Sequence, residues 1–272
     1  MAPTLKTNTL AAGQLAAALL ALRARTPLVH CLTNTVVAGL TANVLLAAGA
    51  APAMTDNAAE AAGFAARAGA VLVNLGTPYA DTTQAMSCAI IGAQDAGVPW
   101  VLDPVGGGAL PWRTALARAW LADGRPAIVR GNASEILGLA GGAGGKGVDS
   151  TAAADDALTA AVELARRQRC VVAVSGAVDL ITDGARLARM GNGSPLLTRV
   201  SGTGCALGAL MAALAAVEPD ALVAASAATA LLTVAAERAA QHSAGPGSFA
   251  VALIDALYAL QPEALAASTR FV

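Results

Sequence analysis

The sequence predicts a single α/β domain of three layers, with a mostly parallel central sheet between two layers of helices. Short apolar runs alternate with longer alanine-rich stretches over most of the chain, which is the pattern of repeated strand–helix–strand units. Of the 272 residues, 56% are hydrophobic and 13% are charged, which excludes intrinsic disorder. A chain of this length can bury a sizeable core without disulfides or a structural metal.

Seven apolar runs have the length and composition of strands. The last two are separated by Asp183-Gly184, which is typical of a β-hairpin, so we expect them to pair in antiparallel fashion. The predicted strands are Leu28–Leu32, Ala70–Asn74, Trp100–Asp103, Ala127–Arg130, Cys170–Ser175, Asp179–Thr182 and Arg186–Met190.

Helical patterns fill most of the intervals between these strands. After Gly202 the chain is helical to Tyr258, with interruptions at Pro219 and at Gly245-Pro246-Gly247. The alternation continues through the glycine-rich stretch at Gly141–Gly147, so we predict one domain over residues 1–272. The earlier predicted helices are Leu10–Arg25, Val36–Ala48, Asn57–Ala68, Thr82–Ala96, Ser134–Leu139 and Ala152–Arg167.

Charge and cysteine usage exclude several classes of protein. The 17 basic and 18 acidic residues leave no positive surplus for a nucleic acid. Two uncharged stretches, Thr26–Thr55 and Val200–Val217, are long enough for a membrane span. Their polar residues and glycines instead favour buried helices of a protein that does not enter a membrane. No secretory leader is visible. The four cysteines lack CxxC spacing, which argues against a disulfide framework or zinc site and favours the cytoplasm.

Polar residues follow five of the apolar runs at the point where each predicted strand ends. Any one of them could be a helix cap, but ligands of open parallel sheets bind at the carboxyl ends of the strands. Five such ends in one chain therefore predict a cleft. They are Thr33-Asn34, Asn74-Leu75-Gly76-Thr77, Asp103-Pro104, Arg130-Gly131-Asn132 and Ser175-Gly176.

The segment Ser201-Gly202-Thr203-Gly204-Cys205 runs directly into an apolar helix. Glycines at a helix N-terminus let backbone N–H groups approach an anion, whose charge the helix dipole favours. The alternative is a glycine-rich turn with Thr203 as the helix cap. The segment has neither the Lys-Ser/Thr of a Walker A loop nor a GxGxxG pattern.

Asp103 and Glu135 are candidate ligands of Mg²⁺, which is commonly held by one or two carboxylates together with phosphates and water. The structural alternatives are a turn before Pro104 for Asp103 and a helix-dipole charge for Glu135. Arg130, at the end of a predicted strand, could bind a phosphate or form a structural ion pair.

The motifs, taken in order, resemble the hydroxyethylthiazole kinase family of the ribokinase-like superfamily, from about Pro27 to Leu260. The signature Gly-Thr-Gly-Cys is specific, because most relatives in the superfamily carry Asp where Cys205 stands. The matching motifs are Val29–Asn34, Gly49–Met54, Asn74–Thr77, Leu102–Gly106, Arg130–Glu135, Gly147–Ser150, Thr182–Gly184, Ser201–Cys205 and Gly245–Phe249.

The resemblance implies a ribokinase-like fold and ATP-dependent phosphorylation of 4-methyl-5-(2-hydroxyethyl)thiazole at its primary alcohol, with Mg²⁺, in thiamine salvage. It also implies a homotrimer with sites at the subunit boundaries. Carried over by motif, the implied roles are thiazole contact for Met54 and Gly202, ATP contact for Arg130 and Ser175, and metal binding for Asp103 and Glu135. Cys205 would be the catalytic base, with packing at the helix start as its structural alternative.

Four positions depart from the family pattern, which usually has Thr at 175 and 110, Glu at 177 and Ser at 51. The residues here are Ser175, Leu110, Ala177 and Ala51; Ser175 keeps the hydroxyl, and the other three put nucleotide affinity and substrate shape in question. The alternatives are a lyase of the same fold acting on hydrated nicotinamide cofactors, a non-catalytic nucleotide-binding protein, and a kinase for another small alcohol such as hydroxymethylpyrimidine.

Overall fold

A computed structural model describes residues 5–7, 10–141 and 157–272 of the chain. Its strands form one sheet in the order β1-β9-β8-β7-β6-β5-β4-β2-β3. The strands are β1 (Lys6–Thr7), β2 (Leu28–Leu32), β3 (Ala51–Ala53), β4 (Ala70–Asn74), β5 (Trp100–Asp103), β6 (Ile128–Asn132), β7 (Val171–Ser175), β8 (Asp179–Thr182) and β9 (Arg186–Met190).

Helices follow most of the strands, and the last third of the described chain is helical. A 3-10 helix, Pro195–Arg199, precedes α8. The helices are α1 (Ala12–Arg25), α2 (Ala38–Ala48), α3 (Ala58–Ala65), α4 (Ala80–Asp95), α5 (Pro111–Asp123), α6 (Ala133–Ala140), α7 (Leu158–Gln168), α8 (Thr203–Ala215), α9 (Ala221–Gln241), α10 (Pro246–Ala259) and α11 (Pro262–Ser268).

The sheet is mostly parallel, as predicted, and among the described strands only β8 runs antiparallel to its neighbours. The predicted hairpin joins β8 to β9, with Ile181 opposite Ala188. Its turn is held by Asp183, whose Oδ1 accepts the backbone N–H groups of Ala185 at 2.8 Å and Arg186 at 2.6 Å. These two hydrogen bonds therefore stabilise the turn between the strands.

Both faces of the sheet are buried, which confirms the three-layer architecture. In β4, Ala70 and Leu72 belong to the core that contains α1, α2, α8, α9 and α10 residues. Val71 and Val73 belong to the opposite core, under α3 to α7. Successive strand side chains point to opposite faces, so a continuous apolar strand buries itself on both sides.

Several elements were not predicted. These are β1, the edge strand β3, the helices α5 and α11, and the 3-10 helix. The predicted end of the fourth strand at Arg130 was wrong by two residues, because Gly131 and Asn132 still pair with Val174 and Ser175 of β7. The glycine-rich stretch from residue 142, the motif Gly147–Ser150 and the predicted helix start at Ala152 lie outside the described residues.

The long apolar helix α9 would be long enough to cross a membrane by length and composition alone. In its most apolar window, 83% of the residues are buried inside the protein, so α9 is a core helix of this fold. The two uncharged stretches noted in the sequence contain α2 and α8, which have 11 and 13 residues and are too short to span a bilayer.

Candidate active site

The carboxyl ends of β4, β5, β6 and β7 lie side by side and bring the predicted polar residues together. In the sheet register Asn74 is opposite Asp103, and Asn132 is opposite Ser175. The N-terminus of α8 approaches the same edge, since Gly208 of that helix lies against Leu72 and Asp103. The polar residues that end these four strands therefore meet at one edge of the sheet.

Asp103 is fully buried, and its two carboxylate oxygens have different surroundings. Its Oδ2 accepts a hydrogen bond from Asn74 Nδ2 at 2.7 Å and lies 3.5 Å from Arg130 Nη1. Its Oδ1 is buried without a hydrogen-bond partner among the described residues. Burial raises the pKa of Asp103 to about 7, although Arg130 opposes this effect.

Glu135 is also buried, but both of its oxygens have partners. Oε1 accepts the N–H of Gly106 at 2.9 Å, and Oε2 accepts the N–H of Asn132 at 2.8 Å. Asn132 Oδ1 in turn accepts the N–H of Glu135 at 2.9 Å, which completes a capping box at the start of α6. The structural alternative for Glu135 is thus realised, and its oxygens retain further lone pairs for a ligand.

The guanidinium of Arg130 bridges two of the strand ends. Nη2 donates to Ser175 Oγ at 3.0 Å, while Nη1 faces Asp103. Its buried Nε has no partner within the described part of the chain. Burial disfavours the charged form, but the carboxylates of Asp103 and Glu135 outweigh it and hold the pKa of Arg130 above its ordinary value.

The glycine-rich loop brings the start of α8 close to Arg130. A Cβ on Gly204 would lie only 2.9 Å from Arg130 Nη1, so the absence of a side chain creates room for the guanidinium. Gly202 caps the helix with φ 91°, and a Cβ there would lie 2.5 Å from Val37 Cβ. The alternative in which Thr203 caps the helix is not realised, because Thr203 is the first helical residue and its hydroxyl donates to Leu197 O at 2.9 Å.

Cys205 lies in the first turn of α8 and is 8% exposed. Burial and the nearby carboxylate of Asp103 raise the pKa of the thiol to about 11. Hydrogen bonding to the side chains of Asn74 and Asn34 and the charge of Arg130 lower it only in part. With this pKa the thiol carries its proton at pH 7 in the absence of substrate.

A cavity of about 640 Å³ opens beside this cluster. Its volume is that of a typical small-molecule site. Arg130, Ser175 and Gly204 contribute to its wall, whereas Asp103, Glu135 and Cys205 lie behind these residues and are not part of its lining. The rest of the lining includes Gly176, Ala177, Asp179, Gly191, Asn192, Gly193, Ser194, Pro195, Leu197, Thr198, Thr203, Leu207, Leu232 and Thr233.

Met54 lies outside this cavity, immediately after the edge strand β3, and is 37% exposed. The next residue, Thr55, is hydrogen-bonded to a buried side chain, since His30 Nε2 lies 2.6 Å from Thr55 O. The ring of His30 also packs edge-on against Phe64, with centroids 4.9 Å apart. Gly202 likewise does not line the cavity but packs on Val37, so within one chain the structure does not join Met54 to the other candidates.

Two residues of the site were not singled out from the sequence. Asn74 appeared only within a strand-end motif, yet it contacts both Asp103 and Cys205. No sequence motif pointed to Asp179, although it lines the cavity and its Oδ1 accepts the N–H of Gly176 at 3.0 Å. Burial raises the pKa of Asp179 to about 6. Of the departures from the family pattern, Ala177 lines the cavity and Leu110 is 41% exposed before α5.

Comparison with known proteins gives a consistent result. A sequence model of the hydroxyethylthiazole kinase family matches residues 19–263. A hydroxyethylthiazole kinase of Clavibacter sepedonicus is 60% identical over 253 residues, covering 93% of this chain and 92% of that protein. The solved structure of a hydroxyethylthiazole kinase from Pyrococcus horikoshii OT3 has a TM-score of 0.86 at 37% identity, covering 95% of this chain and 98% of the other.

A more distant structure supports the fold class alone. A ribokinase-like superfamily protein from Enterococcus faecalis V583 superimposes with a TM-score of 0.64 at 11% identity. The match covers 93% of this chain and 95% of the other. The three-layer architecture is thus a ribokinase-like fold.

Proposed function

Because the chain belongs to the hydroxyethylthiazole kinase family, we propose that its buried site transfers the γ-phosphoryl group of ATP to the primary alcohol of 4-methyl-5-(2-hydroxyethyl)thiazole. The reaction makes the thiazole phosphate of thiamine salvage. Phosphoryl transfer requires little covalent chemistry from a protein beyond positioning and stabilisation of charge, and the residues described above are of the types that provide both.

The observation that carries this proposal is the meeting of Arg130, Ser175 and the N-terminus of α8 at one wall of the cavity. A guanidinium, a hydroxyl and helix N–H groups are all donors to phosphate oxygens. Arg130 and Ser175 would hold the phosphates of ATP, while the N–H groups of residues 203–205 would stabilise the charge on the transferring group.

Mg²⁺ fits the chemistry of the two buried carboxylates beside Arg130, those of Asp103 and Glu135. Asp103 Oδ1 is a buried carboxylate oxygen without a partner among the described residues, and a ligand that neutralises it would offset the cost of its burial. Glu135 is close enough to raise the pKa of Asp103 by its charge. When bound, Mg²⁺ would supply positive charge to the phosphates, with Asp103 and Glu135 as its protein carboxylates.

Cys205 is the candidate base for the alcohol. It lies at the start of α8, beside Asn74 and Asn34 and within the influence of Asp103. A base within hydrogen-bond reach of a hydroxyl assists attack by accepting its proton. Since the thiol is neutral at rest, the sulfur takes the alcohol's proton only in the small fraction of molecules that carry the thiolate.

We also propose that the protein is a homotrimer in which Met54 completes the thiazole site across a subunit boundary. Large apolar side chains on the outer faces of α2 and α10 are exposed, including Leu46 at 59% and Tyr258 at 74%. They border a groove of about 340 Å³ between the two helices. Light scattering coupled to gel filtration should give three times the mass of 26.6 kDa; a monomer that is fully active would overturn this assembly.

The cytoplasm is the compartment that we propose, because all four cysteines are free thiols. Three of them, Cys31, Cys170 and Cys205, are buried, as a reducing compartment permits.

The decisive experiment is a phosphorylation assay with Mg²⁺ and ATP across the thiazole alcohol, hydroxymethylpyrimidine, pyridoxal and a sugar. We expect the highest kcat/KM with the thiazole alcohol. Preference for hydroxymethylpyrimidine would favour the alternative kinase, and ATP-dependent dehydration of a hydrated nicotinamide cofactor would favour the lyase. Nucleotide binding without turnover of any substrate would identify a non-catalytic protein.

A further inference from the structure

One wall of the 640 Å³ cavity is a short segment, Gly191–Ser194, directly after β9. The two glycines that flank Asn192 have little conformational preference of their own, and Gly193 has φ 142°. Asn192 is nevertheless buried, at 4% exposure. The conformation of this wall must therefore be imposed by contacts from elsewhere in the chain.

The last residues of the sequence hold the wall from outside. Gly191 N–H donates to Arg270 O at 3.0 Å, and Arg270 N–H donates to Asn192 Oδ1 at 2.6 Å. Asn192 Nδ2 donates to Ser268 O at 2.9 Å. A Cβ on Gly191 would lie 2.9 Å from Val272 Cγ1, so this segment packs directly on the back of the wall.

Glu237 of α9 joins the wall to the same segment. Its Oε1 accepts the N–H of Gly193 at 2.8 Å, and its Oε2 accepts from Asn192 Nδ2 at 3.1 Å. The guanidinium of Arg270 pairs with both oxygens, with Nη2 2.5 Å from Oε1 and Nη1 3.1 Å from Oε2. One carboxylate therefore receives donors from the wall and from the terminal segment at once.

From this network we propose that Asn192, Glu237 and Arg270 are positioning residues for the nucleoside part of ATP. The inference rests on the proposed function, in which Arg130 and Ser175 hold the phosphates. With the phosphates at that wall, the nucleoside lies in the remainder of the cavity, whose lining includes Gly191, Asn192 and Gly193. The network therefore sets nucleotide affinity, and it contacts neither the metal carboxylates nor Cys205.

The test compares Glu237→Gln and Arg270→Ala with Glu163→Gln, a control that removes an exposed carboxylate from α7. The Glu237→Gln side chain keeps its shape but cannot accept from four donors, because one oxygen becomes an NH₂ group. We expect the KM for ATP to rise about three- to tenfold in both test variants. The KM for the alcohol and kcat should stay within about twofold of wild type.

Competitive inhibition separates the nucleoside from the phosphates. In both variants ADP should inhibit about three- to tenfold more weakly, whereas tripolyphosphate, which lacks a nucleoside, should inhibit as in wild type. Three results would each overturn the proposal: an unchanged KM for ATP, inhibition by ADP and tripolyphosphate that is weakened equally, or a fall in kcat alone. Should Glu237→Gln fail to fold, the Arg270→Ala variant decides, because Arg270 is exposed. A wild-type protein that does not use ATP would instead refute the proposed function.

Discussion

Asn74 donates a hydrogen bond to one of the two carboxylate oxygens of Asp103 and does not contact the other. Its Nδ2 lies 2.7 Å from Asp103 Oδ2, and Oδ1 is buried with no hydrogen bond among the described residues. The amide itself is anchored, because its Oδ1 accepts the N–H of Gly76 at 2.9 Å. This bond fixes the orientation of the carboxylate, and the Mg²⁺ that we propose would bind the oxygen that Asn74 does not contact.

We therefore expect Asn74→Ala to raise the Mg²⁺ concentration needed for half-maximal activity by about tenfold, because Asp103 loses the donor that orients it. The matched control is Asn57→Ala, which removes an exposed cap whose Oδ1 accepts the N–H of Ala59 at 2.9 Å. Activity titrated with Mg²⁺ at saturating ATP measures the effect. Identical Mg²⁺ curves for both variants would show that Asn74 has no part in metal placement.

Asp103→Asn should reduce kcat by about 10²-fold or more at limiting Mg²⁺, because an amide does not balance the charge of the metal. Glu135→Gln should combine weaker metal binding with a loss of folding stability of about 1–3 kcal/mol, since an NH₂ group would face a backbone N–H donor of the capping box. Mg²⁺ titrations and thermal melts separate these effects. If excess Mg²⁺ leaves both variants with the metal dependence of wild type, the assignment fails.

Gly204→Ala should raise the KM for ATP more than the KM for the alcohol, because its Cβ would displace the guanidinium of Arg130. Arg130→Ala should raise the KM for ATP further, by about tenfold or more, and again more than the KM for the alcohol. Gly13→Ala in α1 is the matched control, since a Cβ there meets nothing within 4 Å; it should leave both KM values unchanged. Equal rises in the two KM values would indicate a purely structural role for Arg130.

Cys205→Ala should lower kcat by about 10²-fold or more and leave substrate binding nearly intact, if the sulfur takes the alcohol's proton. With a thiol pKa of about 11, about one molecule in 10⁴ carries the thiolate at pH 7. Cys205→Asp should therefore retain activity or raise it, because a carboxylate is ionised far more often at that pH. An unchanged kcat and pH profile in Cys205→Ala would reduce Cys205 to a packing residue.

Asp179 should make the folded protein less stable as the pH rises. Its pKa is raised by burial from 3.8 to about 6, so the folded state binds the proton more tightly than the unfolded state. The stabilisation is complete below about pH 4 and is lost as the pH rises through 6, at no more than about 1.4 kcal/mol per pH unit.

Asp179→Asn isolates this effect, because it keeps an acceptor for the N–H of Gly176 but cannot titrate. Denaturant unfolding at pH 4, 5, 6 and 7 should show wild type losing stability relative to the variant over that range. Comparison with the variant cancels the opposite contribution of His30, whose pKa burial lowers. Parallel stability curves would show that Asp179 is not the titrating group.

The strands that position the site were largely predictable. The bounds of β2, β4, β5, β8 and β9 agree with the sequence prediction at both ends, because each is an apolar run limited by polar residues or turns. β3 was missed because Ala51-Pro52-Ala53 has no strand propensity; it becomes a strand by pairing with β2 at the edge of the sheet.

Local patterns and motifs sufficed to predict the fold class, the cleft at the strand ends, and the candidates Asp103, Arg130, Glu135, Ser175 and Cys205. The folded structure was needed to show which oxygen of Asp103 has no hydrogen-bond partner among the described residues, how burial raises the pKa of Cys205, and that Met54 lies apart from the cavity. It alone revealed Glu237 as the support of the cavity wall. Hydrogen-bond partners and desolvation depend on residues distant in sequence, such as Asn192 and Ser268, which no local pattern relates.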